Sequence, residues 1–199
     1  MTREQLIQDY IELISKDGFH REDENYYIKN VGSKFQQVFY NNPDQNYIKL
    51  IIPDYMEGRE IDLVAKVDYS TFRNFENGEH LKQYIGNLIN TRRRELIKEI
   101  ICVNAIEDIQ TIVEDLGYDC DNIFYDYPYK KGYGFSYLEY PSGTRYEYKH
   151  IAQTDYITVI EESDQQIKTI ILNSVEIQKL KKDNLVDSIK EILNNKNVT

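Results

Sequence analysis

The chain has 199 residues, of which 41 % are hydrophobic, and this is enough to build a packed core. Its net charge of −10 excludes the generally basic surface with which many proteins neutralise nucleic-acid phosphates. The charged start MTREQLIQDY, the lack of an apolar run of about 20 residues and the two cysteines without metal-binding spacing predict a cytoplasmic protein with no cofactor.

The first half of the chain begins with a helical pattern and continues with strand patterns. Apolar residues recur at helical spacing over 3–16, and Gly18 is a candidate C-cap. Aromatic and β-branched runs separated by turn signals then predict an antiparallel meander with strands at 26–30, 35–41, 47–54 and 59–68.

A second helical pattern covers the middle of the sequence. An apolar stripe predicts a helical segment over 79–103. Asn104, with Glu107 three residues later, has the form of a capping box and predicts a separate helix over 105–116 that ends at Gly117.

The second half again alternates in the manner of strands. Five strands are predicted at 123–127, 134–140, 145–151, 156–162 and 167–172, with a hairpin turn at 141–143 and a last helix over 185–193. The predicted fold class is therefore α+β: an N-terminal helix, an antiparallel meander, a central helical segment, a second antiparallel meander and a C-terminal helix.

The domain organisation follows from the lack of a linker rich in glycine, serine or proline. We expect one compact unit over 1–199, with possible sub-domains 1–78 and 104–199 joined by the helical segment 79–103. SKDGFHREDENYYI and VEDLGYDCDNIFYDY share the order helix, glycine, aromatic residue and strand, so an internal repeat is one hypothesis; two independent glycine C-caps are the other.

The stretch KGYGF at residues 131–135 resembles the third strand of RNA-recognition-motif domains. The resemblance implies RNA binding by stacking of bases on aromatic rings, here those of Tyr133 and Phe135. Leu138 stands where the family has another aromatic residue, and strands follow where the family has a helix. The alternative is an ordinary hairpin strand that places Tyr133, Phe135 and Tyr137 on one face.

The stretch GREIDLVAKVD resembles the metal-binding strand of the PD-(D/E)xK nucleases. The resemblance implies a divalent cation held by Asp54, Glu60 and Asp62. The Asp/Glu-x-Lys strand of that family does not follow, and the clean alternation of residues 59–68 also fits a plain amphipathic strand. His20, His80 and His150 are isolated from other ligand types in the sequence.

The densest positive run is Arg92, Arg93 and Arg94, which interrupts the apolar stripe. One interpretation is anion binding, which together with Lys130, Lys131, Tyr133 and Phe135 would make an RNA- or DNA-binding protein. The other is a helix break at residues 90–91, after which the stripe changes phase.

Acidic residues lie among many of the 18 tyrosines. Carboxylates interspersed with aromatic rings complement a basic groove, and tyrosine is enriched at protein interfaces. The leading hypothesis is a non-enzymatic protein-binding module, an inhibitor of the kind that phages and mobile elements use against host defence, which blocks the basic groove of a nucleic-acid-handling partner. Its candidate contact residues are Tyr125, Asp126, Tyr127, Tyr129, Tyr146 and Tyr148.

Overall fold

The structure, a computed structural model, describes residues 1–127, 130–180 and 182–195. The chain divides into two compact units, Met1–Arg94 (unit 1) and Glu95–Thr199 (unit 2). The boundary falls inside the helical segment that was expected to join two sub-domains.

Unit 1 begins with helix α1 (Arg3–Lys16), whose N-cap Thr2 forms a capping box with Gln5. A five-stranded antiparallel sheet follows, in which each strand pairs with the next along the chain. A 3₁₀ turn (Tyr69–Asn74) leads to the first part of helix α2 (Gly78–Asp115). The strands are β1 (His20–Asp23), β2 (Tyr26–Val31), β3 (Phe35–Asn42), β4 (Tyr47–Met56) and β5 (Arg59–Asp68).

Unit 2 begins with the second part of α2 and contains another five-stranded antiparallel meander. Helix α3 (Ser174–Lys179), a 3₁₀ turn (Lys182–Asn184) and helix α4 (Leu185–Asn195) complete it. Its strands are β6 (Asp121–Tyr127), β7 (Lys130–Glu139), β8 (Thr144–Ile151), β9 (Tyr156–Glu162) and β10 (Ile167–Asn173).

The predicted α+β class is confirmed, but two interpretations of the central helical segment are wrong and two short elements were missed. α2 is one helix of 38 residues, so it neither breaks at residues 90–91 nor starts again at Asn104. The apolar stripe continues through Ala105, Ile106 and Ile109. The free energy gained by burying these side chains exceeds the small cost of one asparagine inside a helix. The sequence patterns also missed β1 and α3, which are only 4 and 6 residues long.

The two units repeat one topology: a helix, a five-stranded meander, a helical turn and a helix. Corresponding helices bury residues at the same spacing. Buried α1 residues are Leu6, Ile7, Tyr10 and Ile14, and the buried residues Ala105, Ile106, Ile109 and Val113 of α2 repeat this spacing in unit 2. Leu81, Ile85 and Ile89 of α2 match Leu185, Ile189 and Leu193 of α4 in the same way.

The repeat extends to cross-strand rows on the buried face of each sheet. In unit 1 one row reads Tyr27, Phe39, Leu50 and Ala65. In unit 2 the corresponding row reads Phe135, Tyr148, Val159 and Ile170. All eight side chains are buried, so this cross-strand row belongs to the core in both units.

Both first helices also end in the same way. Gly18 and Gly117 have positive φ angles of 96° and 88°, and their N–H groups donate to the carbonyls three residues before them. The next residues, Phe19 and Tyr118, donate to carbonyls five residues before them. These are Schellman ends closed by an aromatic residue, so the repeat hypothesis holds for the topology and for the helix ends.

Among the described residues, no helix combines the length and apolarity needed to cross a bilayer.

Candidate functional site

Phe135 of the KGYGF stretch and Tyr137 two residues later are core residues, whereas Tyr133 is half-buried. Phe135 has 0 % of its surface exposed, and its ring stacks on that of Tyr148 at a centroid distance of 5.1 Å. Tyr137 is buried beside it and stacks on Tyr146. A base cannot stack on a ring that lies inside the core, so the RNA-contact prediction for Phe135 is wrong in this conformation.

Gly134 of the same stretch is explained by strand packing. A Cβ atom at this position would lie 1.9 Å from the backbone carbonyl oxygen of Tyr148 on the neighbouring strand. Only glycine permits β7 and β8 to approach this closely. The glycine that resembles an RNA-binding signature is therefore required by the sheet.

The candidate partner-binding tyrosines separate into two groups. Tyr146 and Tyr148 are buried in the core of unit 2, so the prediction that they contact a partner is wrong: alternation along β8 directs them inward. Tyr125, Asp126 and Tyr127 lie in β6, where they pair with residues of β7. Tyr129 lies outside the described residues.

The predicted metal ligands do not converge. Asp54 pairs with Ile61 across β4 and β5, whereas Glu60 and Asp62 alternate onto the opposite, exposed face of β5. Arg93 forms an ion pair with Asp54, in which the arginine Nε and Nη2 atoms lie 2.9 and 2.8 Å from Asp54 Oδ2. The metal-site prediction is therefore wrong, and the described residues contain no cluster of three or more ligand-type side chains that could hold an ion.

The arginine run is part of unit 1. Arg93 and Arg92 are half-buried, and Arg93 makes the ion pair with Asp54. Arg94 is exposed, with Nη2 at 3.5 Å from the Thr91 hydroxyl. Of the remaining nucleic-acid candidates, Lys130 and Lys131 begin β7, and Lys131 is exposed. Since Arg93 already has a carboxylate partner, its charge is not free for phosphate.

An acidic edge lies where α2 ends and β6 begins. The exposed carboxylates of Glu114, Asp119 and Asp121 surround Cys120. Together with burial, which is the larger cause, they raise the pKa of the Cys120 thiol to about 11. Gln110 ties the two elements together, because its amide donates to Glu114 at 2.9 Å and to Asn122 at 3.3 Å.

Two exposed apolar side chains accompany these carboxylates. Leu116 is 65 % exposed and Phe124 of β6 is 83 % exposed. β6 is the last strand in the sheet order and pairs with β7, and among the described residues no strand pairs with its other side. We call the exposed residues Glu114, Leu116, Asp119, Asp121 and Phe124, at the end of α2 and along β6, the acidic edge of unit 2.

A cavity of about 430 Å³ opens beside Phe124 in unit 2. Its apolar and aromatic walls come from Val103, Phe124, Tyr133 and Ala152. The other lining residues are Glu99, Lys131, Gly132 and His150. Its volume is in the range of ordinary small-molecule sites.

Glu99 and Tyr133 are fixed at the cavity by hydrogen bonds. The Gln153 backbone N–H donates to Glu99 Oε1 at 3.0 Å. The Tyr133 hydroxyl donates to the Val103 carbonyl at 3.0 Å, which ties β7 to α2.

His150 is the buried polar residue of this cavity. It is 1 % exposed, and its ring meets that of Tyr133 edge-on at 6.1 Å. Its Nδ1 lies 3.1 Å from the Tyr156 carbonyl oxygen, while Nε2 has no hydrogen-bond partner among the described residues. Burial is the main cause that lowers the pKa of His150 below 6.5. A buried polar atom left without a partner costs about 1–3 kcal/mol, so Nε2 calls for a physical explanation.

The repeat provides a direct comparison for this histidine. Asn41 follows Phe39 by two residues, as His150 follows Tyr148, and it pairs with Ile48 as His150 pairs with Ile157. Asn41 Nδ2 donates to Asn25 at 3.2 Å, and Asn41 Oδ1 accepts from the Tyr69 hydroxyl at 2.5 Å. The polar groups of the unit 1 residue are thus bonded within the unit.

Unit 1 has a larger cavity of about 480 Å³, with a different lining. Lys82 and Asp17 form an ion pair of 2.7 Å there, and Arg93 is paired with Asp54. Among the described residues that line this cavity, no buried side-chain polar atom lacks a hydrogen-bond partner.

No protein family, no curated protein and no solved structure matches the chain. The functional reasoning therefore depends on the geometry alone. Sequence reasoning treated His150 as an isolated histidine. The signal that could have singled it out is its place in the alternation of β8, where Tyr146, Tyr148 and His150 fall on one inward face.

Proposed function

We propose that the protein is a non-enzymatic binding protein, and that the acidic edge of unit 2 engages a basic protein partner. The observation that carries the proposal is the concentration of exposed carboxylates around Cys120 at the start of β6, the strand that also carries the exposed ring of Phe124. Exposed apolar side chains among acidic residues form a surface that a basic protein with apolar contacts complements.

The edge position of β6 supports a specific mode of contact. Since no described strand pairs with one side of its backbone, an extended segment of the partner can add to the sheet there through main-chain hydrogen bonds. The carboxylates of Asp119 and Asp121 would then select basic side chains in that segment, and Phe124 would provide apolar area. Tyr125, Asp126 and Tyr127 belong to the same strand and remain candidate contacts.

The proposal assigns no covalent chemistry to the cysteines. Burial is the main cause that raises the pKa of Cys102 to about 12, and Asp155 and Glu99 add to it. The Cys120 pKa is also raised, to about 11. A thiol with such a pKa supplies almost no thiolate nucleophile at neutral pH.

The finer form of the proposal concerns the partner. We infer from the net charge of −10 and the 18 tyrosines that the partner is a nucleic-acid-handling protein whose basic groove the acidic edge blocks. This is the mode of an inhibitor such as an anti-defence protein of a phage or mobile element. The free Cys102 and Cys120 are compatible with the reducing cytoplasm as the compartment.

A matched pair of charge-reversal variants tests this function. Asp119→Lys with Asp121→Lys alters the acidic edge, whereas Asp44→Lys with Asp164→Lys makes the same change in net charge at exposed positions elsewhere. Immobilised wild type and control should retain a basic protein from a host lysate in a salt-sensitive manner, and the edge variant should lose it. Equal retention by both variants would rule out the acidic edge as the contact surface.

Labelled RNA and DNA provide the second arm of the test. The proposal predicts no detectable binding of either nucleic acid at low salt, because the chain has net negative charge and Phe135 is buried. Affinity that falls steeply with added salt would instead support a nucleic-acid binder.

A further inference from the structure

We infer that the cavity of unit 2 binds a compact apolar or aromatic molecule that carries an N–H or O–H group, which donates a hydrogen bond to His150 Nε2. The inference stands on the cavity and on His150, and it does not depend on the proposed protein partner. The site lies among α2, β6, β7 and β8 of a single unit.

The chemistry of the imidazole fixes what the ligand must supply. The Tyr156 carbonyl oxygen is an acceptor only, so His150 Nδ1, at 3.1 Å, must be the donor. A neutral imidazole that carries its proton on Nδ1 has a lone pair on Nε2. Burial lowers the pKa of His150, which keeps the ring neutral at neutral pH. The unpartnered atom is therefore an acceptor, and its complement is a donor.

The lining defines the rest of the ligand. Val103, Phe124, Tyr133 and Ala152 present apolar and aromatic surface, which favours a flat hydrophobic body. The Glu99 carboxylate, which accepts from the Gln153 N–H, and the Lys131 side chain both line this space, so the opposite charges of the lining favour a ligand without net charge. A neutral aromatic molecule with one donor, such as an indole or a phenol, satisfies both requirements.

The unit 1 counterpart supports a binding role over a purely structural one. Asn41 occupies the equivalent position and is bonded to Asn25 and Tyr69. The same scaffold can therefore satisfy a polar side chain at this point from within. In unit 2 that internal partner is missing among the described residues, and His150 is one of the residues that line a cavity.

Indole and benzofuran are the matched probes, because they have nearly the same shape and only indole carries an N–H donor. Titration of the full chain followed by backbone amide NMR should show indole shifting the amide resonances of residues around the cavity. Indole should bind about tenfold more tightly than benzofuran, the factor that one net hydrogen bond supplies.

Two variants separate the hydrogen bond from the cavity. His150→Leu should remove the preference for indole over benzofuran. Ala152→Leu, which narrows the cavity and keeps His150, should lower the affinity for both probes by the same factor. If His150→Leu fails to fold, Ala152→Leu and the probe pair in wild type still decide the question. Equal affinities of wild type for indole and benzofuran would overturn the inference. So would the absence of any shift up to the solubility limit, since a water molecule alone would then satisfy Nε2.

Discussion

Unit 1 and unit 2 share one topology and one pattern of buried rows, yet they differ at the equivalent positions of Asn41, which is half-buried, and His150, which is buried. Asn41 in unit 1 is bonded to Asn25 and Tyr69, whereas His150 in unit 2 lines a cavity and its Nε2 has no partner among the described residues. The comparison teaches that two units with the same strands and helices can differ in whether the polar side chain at this position is bonded internally or available to a ligand.

The largest expected effect comes from the equivalent core residues Phe39 and Tyr148, both 0 % exposed. Phe39→Ala and Tyr148→Ala should each lower the free energy of unfolding of their own unit by about 3–5 kcal/mol, because each leaves a large cavity. Amide hydrogen exchange measured unit by unit will show this. Loss of protection in both units from either substitution would contradict the division into two compact units.

Gly134 provides the next test, because β7 and β8 approach each other too closely at this point for any residue with a Cβ atom. Gly134→Ala should lower stability by about 1–3 kcal/mol through overpacking against the Tyr148 carbonyl. Gly86→Ala is the matched control, since nothing lies within 4 Å of its added Cβ in helix α2. It should raise stability by about 0.5–1 kcal/mol. Urea denaturation of both variants is the measurement, and equal effects would mean that Gly134 is not constrained by β8.

The comparison itself is tested by the same substitution at both polar positions. Asn41→Leu leaves the hydrogen-bonding groups of Asn25 and Tyr69 without their partner, and it should lower the free energy of unfolding by about 1–3 kcal/mol. His150→Leu removes one bonded atom and one unpartnered atom, so it should cost less than about 1 kcal/mol. Thermal or urea unfolding will rank the two. A larger loss for His150→Leu would show that His150 is mainly structural.

The smallest expected effect is a pH dependence that belongs to unit 2. Because burial lowers the pKa of His150 below 6.5, the unfolded chain binds this proton more readily than the folded chain. The stability that neutral His150 contributes is complete above pH 6.5 and is lost as pH falls from there through the folded pKa. Glu99, Lys131 and Tyr133 are the other titratable groups of the cavity.

The check compares wild type with His150→Leu between pH 7.5 and 5. Carboxylates that titrate in both proteins contribute alike, so the difference in urea midpoint isolates His150. Wild type should lose more stability than the variant as pH falls. Parallel curves would mean that His150 titrates normally.

The sequence predicted the strongly periodic elements well, because their patterns reflect burial directly. α1 and β5 were predicted at their observed bounds, because buried residues recur at helical spacing in α1 and at every second position in β5. Asn104 was misread as a cap because capping-box letters also occur inside helices whose apolar stripe continues.

The functional site was less accessible to sequence reasoning. Tyr146 and Tyr148 were expected on a surface because their composition suggests an interface, but the alternation of β8 buries them. Asp54, Glu60 and Asp62 are close in sequence, yet a hairpin places their side chains on opposite faces. The role of His150 depends on Tyr156 and on the space beside Nε2, and neither is encoded in a local pattern.

The most direct measurement is a nitrogen-15 NMR spectrum of the His150 imidazole at neutral pH, with and without indole. The structure predicts a protonated Nδ1 and an unprotonated Nε2 in the free protein. Indole should shift the Nε2 resonance upfield, as expected for an accepted hydrogen bond, and leave Nδ1 unchanged. A protonated Nε2 in the free protein, or an Nε2 resonance that indole does not move, would contradict the assignment of this cavity as a donor-binding site.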